Sequence, residues 1–188
     1  MTNLLNRKNE VGLLRLLLLL PLCVLGGCSD DASSMFSNRE YVYCYFDKLQ
    51  YNELNLVMGN LGQYASIRKH VVNGVTKITM TSPASSTDYN LDALAKNFGL
   101  GLGGLIVGTS NAGEPLCYDL ACPICDRADR RLTLPNDGYA KCNKCGVTYR
   151  LEDGTPYHVP DDADIQSKKR GLYRYRINYD GQKVNPHN

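Results

Sequence analysis

The chain has 188 residues, with 21 Lys and Arg against 19 Asp and Glu, for a net charge of +2 at pH 7. That length is ample for one domain with its own core. The near-neutral balance, with both signs dispersed, lacks the basic footprint of a nucleic-acid binder.

The first residues read as an export signal rather than as fold. Arg7, Lys8 and Arg15 stand against Glu10, and an apolar run follows from Leu16 to Leu25, broken by Pro21. A stable bilayer span takes about 20 residues, so this run suits the apolar region of a secretory signal instead. It ends in Leu25-Gly26-Gly27-Cys28, which resembles the lipobox of bacterial lipoproteins, where cleavage precedes the Cys and its thiol is acylated. The expected organisation is a signal peptide at 1–27, a lipidated Cys28 with a polar tether at 28–39, and a β domain at 40–188. Removing the signal takes away three bases and one acid and leaves a net charge of zero. Ser29-Asp30-Asp31 is similar to the surface-export signal of some Gram-negative lipoproteins. The expected location is the cell envelope, with the chain lipid-anchored to the outer membrane, on either its periplasmic or its surface side.

From Glu40 onward the pattern is β. Tyr41 to Phe46 is aromatic and β-branched. Asp47 to Gly62 is ambiguous, with a helical turn as its only element. Gln63 to Val72 and Val75 to Thr81 flank Asn73-Gly74, the preferred two-residue hairpin turn. Ser82 to Thr87 reads as a loop, and Leu91 to Phe98 as a short helix capped by Asn90 and ended by Gly99. Gly99 to Gly104 formally contains G-x-G-x-x-G, but a nucleotide loop needs a strand before it and a helix after it. The order here is the reverse, so backbone packing is the expected role. Leu105 to Gly108 and Leu116 to Leu120 read as a second hairpin around Asn111 to Gly113. The alternation from Leu172 to Val184 reads as a closing strand, with Tyr173, Tyr175, Ile177 and Tyr179 on one face.

Two C-x-x-C pairs, Cys122/Cys125 and Cys142/Cys145, are separated by 16 residues. Each pair lets two thiolates turn inward toward one cation, and Gly146 can supply the positive φ that such a knuckle needs. Four thiolates at this spacing suit a tetrahedral site, with zinc the default occupant. The rival is disulfide bonding, within or between the pairs. A C-x-x-C disulfide closes a small strained ring and is more often reactive than structural. Cys44 and Cys117 remain once the signal, the lipid and the knuckles are served. A Cys44–Cys117 disulfide would close a long loop and contribute about 2–4 kcal/mol, whereas two separate buried thiols are the alternative.

The order of hairpin, first ligand loop, insert, second ligand loop, strand with Asp153-Gly154, and Tyr-rich closing strand resembles the Rieske domain. The segments that carry the resemblance are GGLIVG, CYDLACPIC, CNKCGVTYRLEDG and LYRYRINYDGQKV, from about Gly103 onward. It implies an all-β, Rieske-like antiparallel sandwich or barrel with a small metal-binding subdomain at about 117–154. Rieske loops are C-x-H and C-x-x-H around a [2Fe–2S] cluster. Here Cys stands in both His places, Cys145 at the second and Cys125 one residue beyond the first. An all-Cys [2Fe–2S] cluster or a single rubredoxin-like iron is therefore the alternative to zinc. The export signal lacks the twin-arginine context used by proteins that fold around a cluster before export, which favours zinc.

Catalytic motifs are absent. His70, His158 and His187 have no partner in any recognisable triad, and H-E-x-x-H does not occur. Two readings follow. One is a lipid-anchored structural or binding module stapled by metal. The other is an electron carrier for a protein redox partner.

Overall fold

A computed structural model describes residues 36–91, 95–135 and 137–188. The signal peptide, Cys28 and most of the tether lie outside the described residues, as does the middle of the expected helix after Asn90. Fourteen short strands and two short helices occur among the described residues. Every pairing between named strands is antiparallel, and the all-β expectation holds.

The larger sheet has ten strands. In chain order they are β1 (Val42–Tyr43), β2 (Phe46–Asp47), β3 (Gln63–Val72), β4 (Val75–Thr81), β5 (Ser86–Asn90), β6 (Gly99–Leu100), β7 (Leu105–Thr109), β8 (Pro115–Asp119), β13 (Arg174–Tyr179) and β14 (Lys183–His187). They lie in the order β5-β4-β3-β7-β8-β13-β14-β1-β6, with β2 also on β14. The smaller sheet contains β9 (Leu132–Thr133), β10 (Tyr139–Cys142), β11 (Thr148–Arg150) and β12 (Pro156–His158), in the order β12-β11-β10-β9. Helix α1 spans Asn52–Gly59 and α2 spans Ala163–Ser167.

The hairpin expected around Asn73-Gly74 is present with the expected bounds. Asn73 and Gly74 take φ of 52° and 76°, the left-handed pair that a two-residue turn demands. Other expectations shift. The run Tyr41 to Phe46 breaks into two strands around Cys44 and Tyr45. Asn90 ends β5, paired with Lys77, rather than capping a helix, and a 3-10 turn follows at Ala95–Asn97. The closing alternation is two strands, because Asp180-Gly181 turns the chain. Gly181 has a φ of 96°, and the Asp180 carboxylate accepts from the Gln182 and Lys183 N–H groups.

Two apolar clusters fill the structure. One joins β1, β3, β4, β7 and α1 through Leu54, Val57, Ile67, Ile78, Met80, Leu105 and Val107. It also holds Cys44 and Cys117, both fully buried free thiols. In this structure the two are separate buried thiols, the second of the two arrangements considered above. Burial raises the pKa of both thiols, and Cys44 adds to the rise at Cys117, so neither is a ready nucleophile. The second cluster packs Ile106, Leu116, Tyr118 and Leu120 of the large sheet against Ala140, Val147, Tyr149 and Leu151 of the small one. It carries the two C-x-x-C loops.

Buried carboxylates lock the frame. Glu53 on α1 is fully buried and accepts hydroxyl hydrogen bonds from Ser85, Thr87 and Tyr89, each at 2.7 Å. Desolvation alone would raise its pKa, but the three donors outweigh it and hold the carboxyl below its ordinary value. A depressed carboxylate contributes stability above its unfolded pKa and loses it as pH falls through the folded one. Glu53→Gln should cost about 1–3 kcal/mol at pH 7. In urea titrations repeated at lower pH, the gap to wild type should close as pH falls below about 4, the ordinary carboxylate range.

Candidate metal centre

Both ligand loops are tight turns fixed to strands. The first follows β8 and is held by an Ala121–Arg131 bridge and by Cys122 N–H to Arg130 C=O at 2.8 Å. The second is the turn of the β10–β11 hairpin, with Cys142 paired to Leu132 of β9. The two loops repeat one geometry. Gly146 N–H donates to Cys142 C=O at 2.9 Å, and Asp126 N–H donates to Cys122 C=O at 2.8 Å. Gly146 has the positive φ expected of it, 77°, and Asp126 takes 55° at the matching place in the first loop. Sequence reading singled out Gly146 and passed over Asp126, because Asp does not announce a left-handed residue as Gly does.

All four Sγ atoms of Cys122, Cys125, Cys142 and Cys145 lie within 4.8 Å of one another. Cys122 and Cys145 are 3.6 Å apart, and Cys125 and Cys142 are 3.7 Å apart. These are non-bonded contacts, far longer than the ~2.05 Å of a disulfide. They match the edge of a tetrahedron whose centre is ~2.3 Å from each sulfur. Cys122 and Cys142 are buried, while Cys125 and Cys145 keep a partly exposed edge. The donor set is therefore a closed four-sulfur shell that fits one metal ion.

The electrostatics favour the same conclusion. A hydrogen bond from the Cys122 thiol, followed by N–H groups of Cys145 and Lys144, lowers the Cys142 pKa to about 4 against the cost of burial. Burial, then the Cys142 charge, pushes Cys125 up to about 12. Cys122 is also raised, first by donating to Cys142 and then by burial. One thiolate forms readily here and the rest resist ionising beside it. A cation removes that conflict.

Two residues around the sulfurs escaped the sequence reading. The Tyr149 hydroxyl is 3.9 Å from Cys122 Sγ, on a fully buried ring, and burial raises its pKa. Asp119 is fully buried just before the first loop. Its carboxylate accepts from the N–H groups of Leu102, Gly103 and Ala121 and from the Tyr175 hydroxyl, at 2.6–3.0 Å. The glycine-rich segment Gly99–Gly104 thus does form an anion cradle, and the anion is the chain's own Asp119. Gly101 must lack a side chain there, since its φ is +69° and a Cβ would meet the Asp119 carboxylate. His158 is exposed on β12, and the metal-ligating cluster among the described residues consists of the four Cys alone.

No family model, no curated protein and no solved structure matches this chain.

The left-handed Asp126 is tied down by its side chain. Its carboxylate pairs with Arg39 and accepts from the Tyr173 hydroxyl at 2.9 Å. Partial burial would raise its pKa, but Arg39 and Tyr173 hold it below its ordinary value. Asp126→Ala should cost about 1–3 kcal/mol, from the lost charged hydrogen bonds. Asp126→Gly should recover about 1 kcal/mol of that loss, because the left-handed backbone no longer opposes a Cβ. Chemical denaturation of the two variants side by side checks the order.

Proposed function

We propose that this chain is a lipid-anchored, Rieske-like β module of the cell envelope whose two loops hold a single structural zinc. It serves as a binding or structural domain rather than as a catalyst. The observation that carries the reading is the closed shell of four sulfurs within 4.8 Å. A single ion at its centre satisfies all four ligands and leaves no open position for a substrate. When bound, zinc supplies charge neutralisation and a crosslink between the two loops. The chain's own part is to present Cys122, Cys125, Cys142 and Cys145 from two matched turns. Asp119 holds the first of these against the glycine segment.

Anchoring is inferred from Leu25-Gly26-Gly27-Cys28 and the polar residues after it. The partner would then be a membrane, reached through an acyl chain on Cys28, with the outer membrane as its location. The Rieske resemblance is supported by the antiparallel sheet that delivers β8 into the first loop and by the β10–β11 hairpin that carries the second.

A second reading has one observation in its favour. Cys125 and Cys145 are partly exposed, as an electron carrier for a protein redox partner requires. A lone iron would fit the same shell. A [2Fe–2S] cluster fits it poorly, because two metals with bridging sulfides spread their ligands further than one tetrahedron does.

Four experiments test these proposals. Metal analysis of purified protein should find one zinc per chain and no visible absorption. Two irons with inorganic sulfide would overturn the zinc reading. Cys145→Ser should lose the metal and, since metal binding and folding are coupled, lose more than about 4 kcal/mol of stability. Radiolabelled fatty acid should enter wild type and not Cys28→Ala; equal labelling of both would remove the anchor. For Cys44 and Cys117, peptide mapping without reduction should yield a linked pair if export oxidises them, and two separate thiol peptides if they stay buried and reduced.

A further inference from the structure

The β3–β4 hairpin extends beyond the sheet that carries it. Strand β7 pairs with β3 only as far as Ile67, opposite Leu105, and β5 pairs with β4 only as far as Lys77, opposite Asn90. Among the described residues the last two rungs, Val71–Thr76 and Val72–Val75, pair with no further named strand, and on the β5 side only the Leu91 N–H reaches them, at the Thr76 carbonyl, 3.2 Å. The tip carries Val71, Val72 and Val75, which are 65%, 39% and 48% exposed. Apolar β-branched side chains at a projecting turn contribute nothing to either core.

Directly behind the tip the hairpin is cationic. Cross-strand register places Arg68 and Thr79, then His70 and Lys77, then Val72 and Val75 on one face. A cleft of about 250 Å³ opens there, lined by Arg68, Lys69, His70, Thr79 and Arg131. Lys69 Nζ is spent on the Phe98 carbonyl at 2.7 Å, and Arg131 Nε on the Gly103 carbonyl at 2.7 Å. Arg68 and Lys77 have no ion pair or side-chain hydrogen bond among the described residues. Among the described residues the acid that meets this group is Asp88, which faces His70 at 3.8 Å and accepts from Thr79.

The described chain also begins at this end of the sheet. The row Ile67, Leu105 and Asp119 runs across β3, β7 and β8, and Asp119 bonds the Tyr173 carbonyl. Ser37 N–H donates to the next carbonyl, that of Arg174, at 2.7 Å. Phe36 lies under the Arg174 and Arg176 guanidinium groups. Eight residues lie between Cys28 and Ser37, nine Cα–Cα steps that reach about 30 Å at full extension.

We propose that the β3–β4 hairpin docks on an anionic lipid surface. The Val71, Val72 and Val75 tip enters the interface, while Arg68 and Lys77 meet the lipid phosphates. The placement rests on the lipid-anchor reading, which brings this end of the sheet to a bilayer. Apolar insertion with flanking cations is the combination that interfacial binding uses. Each exposed cation near an anionic surface strengthens partitioning about fivefold, and salt screens that part.

The chain has no tryptophan, so Val72→Trp places a single reporter at the tip of the full-length chain. Tyr157→Trp, at an exposed site on β12, is the control. Both are reconstituted into protein-free vesicles of phosphatidylglycerol with phosphatidylethanolamine, and into phosphatidylcholine alone. In the anionic vesicles the Val72→Trp emission should shift to the blue and be quenched by brominated acyl chains. The control emission should do neither. The shift should be lost in phosphatidylcholine, in high salt, or when Arg68→Glu and Lys77→Glu are added. Unchanged Val72→Trp emission in anionic vesicles overturns the proposal, whether the tip meets a protein or solvent instead. Fatty-acid labelling at Cys28 reports the anchor separately. A labelled, co-floating chain with an unshifted indole sinks the hairpin alone, whereas an unlabelled chain whose indole still shifts sinks the anchor alone.

Discussion

Four thiols packed within 4.8 Å of one another face a constraint that the rest of the domain is built to meet. Two of them, Cys122 and Cys142, are taken out of water and the other two are only partly exposed, and like charges at that distance repel strongly in a poor dielectric. A cation at the centre turns that repulsion into the bond that holds two loops together. The fold supplies the geometry in duplicate: a C-x-x-C turn, an N–H returned to the first Cys carbonyl, and a left-handed residue behind it. Each half closes its turn with its own hydrogen bond, but only the pair makes a tetrahedron.

Charge burial recurs elsewhere, handled without metal. Glu53 and Asp119 are fully buried carboxylates, and each is surrounded by donors rather than by a counter-ion. Glu53 collects three hydroxyls and joins α1 to β4–β5. Asp119 collects three backbone N–H groups and a tyrosine hydroxyl, and joins β8 to the glycine segment and to β13. Buried carboxylates satisfied in this way cost far less than unpaired ones. They also fix one arrangement of their neighbours, because any shift would leave a charge without donors.

What the sequence disclosed follows from how local each signal is. The β3–β4 hairpin was legible because Asn73-Gly74 encodes its turn in two adjacent residues. The four Cys were legible because ligand spacing within a knuckle is local. Helix α1 was obscured because Glu53 occupies an inward position and breaks the apolar period. The start of strand β5 was read as loop because Ser86 and Thr87 are polar there, and Thr87 and Tyr89 turn their hydroxyls to that same Glu53. The closing hairpin was read as one strand because the alternation ran through Asp180-Gly181. Asp119 and Tyr149 were silent, since apart from Ala121 beside Asp119 their partners lie 16 to 56 residues away.

The Arg39–Asp126 pair has a mechanical side. Arg39 lies just inside the point where the described chain enters the domain, and it grips the residue immediately after Cys125. Phe36 under two arginines and the Ser37 N–H on β13 hold the same short segment. A pull on this segment is therefore delivered to a ligand loop as well as to a strand. With a metal in place that loop is braced against β10 and β11, and the load spreads into the smaller sheet. Without it, the first knuckle keeps its own turn, the Ala121–Arg131 bridge and the Asp126 contacts, but loses its brace to the second knuckle, so how far a load on this segment spreads is set by whether the sulfurs are bridged.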